Sequence, residues 1–267
     1  MTPPVAVVSL CSAGRVDHLR VQLAAVGESA DAQRIVVWIG DDAPPPLEAE
    51  VVVRVPPGAH GLRLAAARNA GAAAAVAAGA EVLVFLDADC VPAPALIRRY
   101  RQAAERFPGA VLCGPVTYLP EGVSASAPAE LSPAPHPARP VPADDEAREA
   151  TAAEYPLFWS LSFALTPSTW AAAAGFDEAY EGYGGEDTDF AFRLRAGGIP
   201  LVWTGGAHAF HQHHATSSPP WQHLDDILRN GALFADRWHE WPMTGWLESF
   251  AAAGAIVRDG DGWRRSE

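Results

Sequence analysis

The stretch Val82-Leu-Val-Phe-Leu-Asp87-Ala-Asp89 joins an apolar run to two carboxylates that are separated by one residue. A short, continuous apolar run of this kind is typical of a strand buried on both faces, as in a parallel sheet. The two aspartates would then emerge at the carboxyl end of that strand, where open α/β sheets bind their ligands. Two such carboxylates can chelate a hard divalent cation. The alternative is that they cap the helix predicted after Pro92, but their position favours the metal site.

The regions on either side of this stretch predict an α/β fold. Apolar runs alternate with helical patterns through residue 119, which indicates βαβ units and a mostly parallel sheet. No Gly-x-Gly-x-x-Gly follows the first strand, so this half is Rossmann-like without the dinucleotide fingerprint. The predicted strands are Val5–Leu10, Arg34–Ile39, Val51–Val55, Val82–Leu86 and Ala110–Leu119, and the predicted helices are Asp17–Val26, Leu62–Ala78 and Pro94–Phe107.

The later part of the chain predicts a second, smaller half. Residues 120–154 are rich in Pro, Ala, Ser and acids, which is typical of a flexible loop. We therefore divide a single continuous domain into residues 1–119, the loop 120–154, a second half at 155–237 and a C-terminal extension at 238–267. Within the second half we expect helices from Pro167 to Gly175 and over Thr188–Ala196, a strand at Pro200–Trp203 and a last helix from about Trp221.

The composition excludes several classes of partner and chemistry. The 267 residues carry a net charge of −13, so nucleic acids and anionic membrane surfaces are poor partners. The chain has no lysine, which rules out Schiff-base chemistry and a P-loop lysine. Three cysteines without CxxC spacing favour a reducing compartment, and the N-terminus lacks the features of a signal peptide or membrane span. We expect a cytoplasmic protein; its oligomeric state is not predicted.

A second acidic cluster lies in Glu181-Gly-Tyr-Gly-Gly-Glu-Asp-Thr-Asp-Phe190. Glycines before a helix let the backbone approach a ligand, and carboxylates in the first helical turn are stabilised by the helix dipole. An ordinary acidic helix start would show the same carboxylates. The paired glycines beside Tyr183, whose flat ring could stack on a sugar, favour a binding site. A carboxylate at this place could remove a proton from a hydroxyl nucleophile.

Four of the nine histidines lie within residues 208–214, directly after a predicted strand. Such a cluster indicates metal binding more than packing. If the strand continues, His211 and His213 share one face while His208 and His214 share the other. The four histidines could then not all bind the same ion, and no cysteine lies nearby. A zinc site built from these histidines alone is therefore not favoured. One histidine that completes an aspartate-held site fits better.

Taken together, these motifs resemble the GT-A-fold glycosyltransferases of family two, and the Gly184-Gly185-Glu186-Asp187 stretch resembles the C-terminal region of β-1,4-galactosyltransferases. The resemblance covers most of residues 5–230, apart from the loop. It implies a Rossmann-like half that binds a nucleotide sugar and a smaller half that binds the acceptor. It also implies an inverting, metal-dependent transferase that moves a sugar, with UDP-linked galactose or N-acetylhexosamine as the expected donor, to a glycan or glycolipid hydroxyl.

The same resemblance assigns roles to individual residues. Asp89, with Asp87 beside it, would bind Mn²⁺ or Mg²⁺, and His211, or else His213, would complete the metal site. Asp187 would be the catalytic base, with Glu186 holding acceptor hydroxyls. The nucleotide would be met by the loop after the first strand, by Asp41 or Asp42, and by the Arg68-Asn-Ala-Gly71 segment. The full set is, for the donor, Leu10, Ser12, Arg15, Asp41, Arg68 and Asp87, and for the acceptor, Trp159, Tyr183, Gly185 and Glu186.

Two other functions remain open from the sequence. A sugar-phosphate nucleotidyltransferase uses a similar sheet but normally has a lysine-bearing, glycine-rich N-terminal loop, which this chain lacks. A non-catalytic sugar- or metal-binding module would retain the fold without the chemistry. The joint presence of Asp89, Glu186, Asp187 and the histidines argues against such a loss of activity.

Overall fold

The computed structural model of the protein describes residues 4–29 and 32–266. The strands are β1 (Val5–Cys11), β2 (Ala32–Ile39), β3 (Val51–Val55), β4 (Val82–Asp87), β5 (Cys90–Pro92), β6 (Val111–Cys113), β7 (Val116–Tyr118), β8 (Ala147–Glu149), β9 (Ser162–Leu165), β10 (Leu201–Thr204), β11 (Ala209–His211), β12 (Ile256–Asp259) and β13 (Gly262–Arg265). The α-helices are α1 (Val16–Gly27), α2 (Leu64–Ala77), α3 (Leu96–Arg106), α4 (Pro167–Ala173), α5 (Glu186–Ala196), α6 (Leu224–Trp238) and α7 (Thr244–Ala252).

The predicted mostly parallel sheet is confirmed. Over the described residues it has eight strands in the order β3-β2-β1-β4-β9-β6-β10-β8. Strands β1 to β4 pair in parallel, as do β6 and β10, whereas β8 and β9 run antiparallel to their neighbours. Apolar residues of β1 face both sides: Ala6, Val8 and Leu10 pack under α2, and Val5 and Val7 pack in the cluster that contains α3. Burial on both faces explains the continuous apolar runs of the sequence.

The strand order determines where a ligand can bind. From β1 the chain first moves outward to β2 and β3, and then returns to place β4 on the other side of β1. The connections leave in opposite directions at this point, which opens a crevice between the carboxyl ends of β1 and β4. Ser12 follows β1, and Asp87 is the last residue of β4. The crevice therefore lies between the two segments that the sequence assigned to the donor.

The structure differs from the single strand predicted over Ala110–Leu119. The chain leaves the large sheet after β6, turns at Gly114-Pro115 and enters a second sheet as β7. A Cβ at Gly114 would lie 1.9 Å from the carbonyl oxygen of Ala207, so only glycine allows this close approach. The second sheet, in the order β5-β11-β7, places His211 opposite Cys90, next to Asp89 in the chain.

The segment 120–154, which we predict to be a flexible loop, contains one strand of the large sheet. Its strand β8 pairs with β10 at the edge of the large sheet. Arg139 is buried, and its guanidinium lies 5.5 Å from the ring centre of Trp159 and 5.1 Å from that of Trp203. These cation–π contacts compensate part of the cost of burying the charge.

The C-terminal extension packs on the second half. Side chains of α6, α7 and β12 form one apolar cluster, with Ile227, Leu247, Phe250 and Ile256 at its centre. No helix among the described residues is long and apolar enough to cross a membrane.

Candidate functional site

A pocket of about 600 Å³ lies at the carboxyl ends of β1 and β4. One side of it, where we predict the donor to bind, is formed by Leu10, Ser12, Arg15, Asp87 and Asp89, and the start of α5 closes the opposite side. The fold thus brings the first acidic motif together with the second acidic motif and the histidine stretch, which both follow it by about a hundred residues or more in the sequence. The pocket residues that the sequence singled out are Leu10, Ser12, Arg15, Arg68, Asp87, Asp89, Trp159, Tyr183, Gly185, Glu186, Asp187, His211 and His213.

Asp89, His211 and His214 form a cluster that could hold a metal ion. One ligand atom from each lies within 4.8 Å of the others. The Nε2 atom of His211 is 3.5 Å from Asp89 Oδ1, and the Nε2 atom of His214 is 3.3 Å from Asp89 Oδ2. Burial acts to raise the pKa of Asp89, but His214, His211 and Arg15 outweigh it, and the pKa lies below its ordinary value. A carboxylate that stays ionised beside two imidazoles is a suitable donor set for a transition metal.

The cluster contains His214 where the sequence analysis named His213. Strand β11 ends at His211, so the expected alternation of faces stops there and the chain turns. The ring centres of His211 and His214 consequently lie 5.3 Å apart. His213 is exposed and lies outside the cluster, although it borders the pocket. The ring of His208 is buried and shares a 2.8 Å hydrogen bond with Thr117, and burial lowers its pKa to about 4.

Arg68 lies inside the protein, between the two acidic motifs. Its Nη1 is 3.1 Å from Glu186 Oε1, its Nη2 is 3.5 Å from Asp87 Oδ1, and Nη2 also donates to Ser160 at 2.7 Å. The side chain is only 4% exposed. Its positive charge therefore offsets the mutual repulsion of the carboxylates around it. The resemblance had assigned Arg68 to the donor, and in this structure its direct partners are protein groups.

Asp187 lies in the first turn of α5, at the pocket wall. Burial and then the charge of Glu186 raise the pKa of Asp187 to about 7, against the opposing effects of Arg68 and Thr188. The Thr188 backbone N–H donates to Asp187 Oδ1 at 2.7 Å. A carboxylate held in place with a pKa near neutrality has the properties of a general base.

The glycines before α5 allow the chain to turn tightly into the helix. Gly184 and Gly185 have φ angles of 87° and 91°, which other residues rarely adopt. A Cβ at Gly184 would lie 2.8 Å from Met243 Sδ. Tyr183 was expected to offer a free ring to a sugar; instead, its ring stacks on His223 at 4.3 Å between centres. Since Tyr183 also lines the pocket, only its remaining surface is available to a ligand.

Of two residues predicted to bind the donor, Arg15 lines the pocket and Asp41 does not. Arg15 lines the pocket with its Nε 3.3 Å from Asp89 Oδ2 and with 37% of its side chain exposed, so the guanidinium can still reach an anion. Asp41 is exposed and does not line the pocket, and its carbonyl oxygen accepts a hydrogen bond from Arg54. The loop between β2 and β3 carries it away from the crevice.

Several pocket residues were missed by the sequence analysis. Met243 and Trp246 reach the pocket from the C-terminal extension, where their aromatic surroundings indicated only packing. Thr216 belongs to the loop after the histidines. No local pattern distinguishes Met243 and Trp246, because they enter the pocket only through the packing of α7. His214 could have been predicted as a ligand only if the end of β11 at His211 had been known.

Two models of known families match adjacent parts of the chain. Residues 28–148 match the model of glycosyl transferase family 2, and residues 149–214 match a model described as the N-terminal domain of galactosyltransferase. The second match includes Gly184, Gly185, Glu186 and Asp187. Since that model is described as an N-terminal domain, the likeness to a C-terminal galactosyltransferase motif stays a prediction.

Individual relatives agree with the family matches. Validoxylamine A glucosyltransferase of Streptomyces hygroscopicus subsp. jinggangensis is 35% identical over 79 residues, which are 27% of this chain and 18% of that protein. Among solved structures, GalNAc-T7 with UDP, GalNAc and Mn²⁺ superposes with a TM-score of 0.62 at 15% identity, over 89% of this chain and 48% of the other. Residues 1–349 of S. aureus TarS superpose with a TM-score of 0.57 at 11% identity, over 87% and 64%.

The chain thus spans about a fifth of the length of the curated relative and about half of GalNAc-T7. The structural likeness concerns the fold, and the two family models concern residues 28–214. The fold and the family matches together identify a chain with the GT-A fold of glycosyltransferases, with a glycosyl transferase family 2 domain at residues 28–148 and a galactosyltransferase-type region at residues 149–214.

Proposed function

We propose that this chain transfers a sugar from a UDP-linked donor, galactose or an N-acetylhexosamine, to a hydroxyl of a glycan or glycolipid, with inversion at the anomeric carbon. The observation that carries the proposal is that Asp187, with its pKa of about 7, lines the same pocket as the Asp89, His211 and His214 cluster. Asp187 suits the activation of an acceptor hydroxyl, and the cluster, with a metal bound, suits the neutralisation of a diphosphate. GalNAc-T7, which shares the fold, was solved with UDP, GalNAc and Mn²⁺.

The donor set of the cluster fits Mn²⁺ better than Mg²⁺. Mg²⁺ is held in proteins chiefly by oxygen atoms, whereas imidazole nitrogens suit transition metals and carboxylates suit Mn²⁺. One carboxylate with two imidazoles therefore combines both preferences. When bound, Mn²⁺ would neutralise charge on the diphosphate and on the departing nucleotide. Asp87 lies beside the cluster at the end of β4, where it could add a further oxygen ligand.

Side chains of the protein would supply the base, the acceptor contacts and a contact to the diphosphate. Asp187 would accept the proton of the attacking hydroxyl, and its bonds from Thr188 keep the carboxylate oriented. Arg68 holds Glu186, which would bind acceptor hydroxyls next to the base. Arg15, partly exposed at the rim, would meet the diphosphate. Attack from the Asp187 side of the sugar, opposite the leaving group, would convert an α-linked donor into a β-linked product.

The division of the chain follows from this proposal. Residues 1–119 would bind the nucleotide sugar, residues 155–237 would supply the base and acceptor contacts, and Trp159 would form part of the acceptor wall. The cytoplasmic location remains a prediction from the sequence.

The test is calorimetric binding of UDP, GDP and dTDP, each with and without Mn²⁺, to the wild type and to Asp89→Ala. We expect UDP to bind in a Mn²⁺-dependent way and the substitution to abolish this binding. Asp261→Ala is the matched control, because Asp261 belongs to another Asp-x-Asp pattern, exposed on the β12–β13 turn. If no nucleotide binds under any condition, the transferase proposal is wrong, and a non-catalytic binding module becomes the better explanation.

A further inference from the structure

A second cavity, of about 670 Å³, opens beside the catalytic pocket. Four residues line both spaces, namely Trp159, Thr188, Met243 and Trp246. The two cavities therefore adjoin each other, so a molecule at the first lies next to the second. The volume falls within the range of about 300–1,000 Å³ that is typical of small-molecule sites.

The second cavity adjoins the acceptor side of the catalytic pocket. Thr188, one of the shared residues, directly follows Asp187 in α5. None of the described residues proposed for the metal or the donor lines the second cavity; its walls come from the segment before β9, from α5, from α6 and from the extension that follows α6. A molecule that extends past Asp187 into this space is consequently the acceptor, because the donor enters from the side of Asp89.

The walls combine flat aromatic surfaces with polar groups. Trp159, Trp241 and Trp246 are partly exposed, and Arg195 and Glu240 are exposed at the cavity. Within residues 4–29 and 32–266, none of the three indole N–H groups donates a hydrogen bond to another residue. These donors are available to a ligand, as is common for tryptophan at binding surfaces. One cation and one anion leave the cavity without a strong net charge, which suits a neutral ligand rich in hydroxyls.

The aromatic walls are held rigidly. A Cβ at Gly231 would lie 2.7 Å from the Trp241 ring, and one at Gly262 would lie 3.3 Å from it, so both glycines let the indole pack against backbone. The guanidinium of Arg195 lies 4.2 Å from the ring centre of Phe192, which is buried below it. Rigid walls lose little conformational entropy when a ligand binds.

We propose that this second cavity binds the distal sugar units of an oligosaccharide acceptor, whose terminal unit lies at Asp187. The inference rests on the proposed function and adds the class of acceptor: a chain of neutral sugars rather than a single monosaccharide. Pyranose rings present an apolar face to the indoles and hydroxyls to Arg195, Glu240 and the indole N–H groups. A lipid chain would leave those polar groups without partners.

The experiment begins with an immobilised array of mono- to tetrasaccharides, probed with the wild-type protein in the presence of UDP and Mn²⁺. The best glycan is then prepared as the full oligosaccharide, as the methyl glycoside of its terminal sugar and as the dodecyl glycoside of that sugar. Binding of all three is measured for the wild type, Trp241→Ala, Arg195→Ala and Trp221→Ala. Trp221 is the matched control, because its exposed ring lies outside both cavities.

We expect the wild type to bind the oligosaccharide about tenfold or more tightly than the methyl glycoside, as removal of an aromatic anchor commonly costs that much. Trp241→Ala and Arg195→Ala should each reduce this preference, and Trp221→Ala should preserve it. Arg195→Ala keeps the test decisive if Trp241→Ala does not fold. Equal binding of short and long glycans, no binding of any glycan, or a preference for the dodecyl glycoside that depends on Trp241 would each overturn the inference. Binding of UDP with Mn²⁺, measured on the same samples, shows separately whether the proposed function stands.

Discussion

Asp187 combines a raised pKa with a fixed orientation of its carboxylate. It is close to Glu186, which with burial raises its pKa to about 7, and it accepts two hydrogen bonds from Thr188 that fix its orientation. Arg68 offsets part of the repulsion from inside the protein. At this scale the site depends on one buried cation among three carboxylates.

Asp187→Asn should lower kcat by about 10²–10⁴-fold, the usual contribution of a general base. The amide keeps the size of the side chain but cannot accept the proton of the acceptor. The measurement is kcat together with the affinity for UDP, which should survive because Asp187 lies across the pocket from the donor loop. Asp225→Asn, in the first turn of α6, is the control and should leave both unchanged. Equal loss of turnover and UDP binding would contradict the role of Asp187 as base.

His211→Ala and His214→Ala should each raise the Mn²⁺ concentration required for half-maximal activity by tenfold or more, as loss of one ligand weakens a three-residue site. His213→Ala should leave the Mn²⁺ titration unchanged, because His213 lies outside the cluster. The measurement is activity against free Mn²⁺ for each variant. If His213→Ala changes the Mn²⁺ titration and His214→Ala does not, His213 rather than His214 is the third ligand.

At the scale of elements, α2 packs unusually closely on the sheet below it. A Cβ at Gly71 would lie 2.3 Å from Val8 Cγ1 of β1 and 3.0 Å from Val37 Cγ2 of β2. The helix can approach β1 this closely only because residue 71 is glycine. The carboxyl end of β1 lines the pocket at the proposed donor side, so the contact helps to position Ser12 and its neighbours.

Gly71→Ala should lower the free energy of unfolding by about 1–3 kcal/mol, the usual cost of overpacking a well-filled core. Gly245→Ala is the control, because Gly245 lies in α7 with nothing within 4 Å of an added Cβ. In the control, alanine should be neutral or stabilising by up to about 1 kcal/mol through its higher helix propensity. Urea denaturation of both variants measures the two changes. Equal stability of the two variants would show that α2 can move away from β1 without cost.

Much of the element structure could be predicted from sequence. Strands β1 to β4 and helices α1 to α3 were predicted close to their observed positions, because their apolar residues pack in regular layers. The break between β6 and β7 was missed, since the apolar run continues across Gly114-Pro115 while the chain changes sheets. The end of β11 at His211 was missed for a related reason: no residue type marks it, and it is set by the length of its partners β5 and β7.

At the scale of the whole molecule, the raised pKa of Asp187 implies that the site costs stability. In the unfolded chain an aspartate has a pKa of about 3.9. Its folded pKa is higher, so the contribution of Asp187 to stability is fully present below pH 3.9 and is lost as pH rises to about 7. An asparagine does not titrate and avoids this loss.

Asp187→Asn should therefore be more stable than the wild type, by about 1–4 kcal/mol at pH 8 and by less at pH 5, given about 1.4 kcal/mol per pKa unit. The free energy of unfolding in urea, measured at both pH values without metal, gives the comparison. Asp225→Asn should show no gain that grows with pH, because Arg265 holds the pKa of Asp225 below its ordinary value. A difference that is the same at pH 5 and pH 8 would contradict a raised pKa at Asp187.

The sheet, its buried strands and the place of Asp87 and Asp89 at its carboxyl edge could be predicted from the sequence alone, because they follow from local apolar patterns and from the rule that ligands bind at the carboxyl ends of parallel strands. The side chains that meet at this edge are set by the packing of the whole fold. His214 joins Asp89 because β11 ends at His211, Arg68 is buried because three elements converge on it, and Trp246 reaches the pocket because α7 packs beside α6. Each of these contacts depends on where strands end and how helices pack, and those are properties of the whole fold rather than of any short stretch.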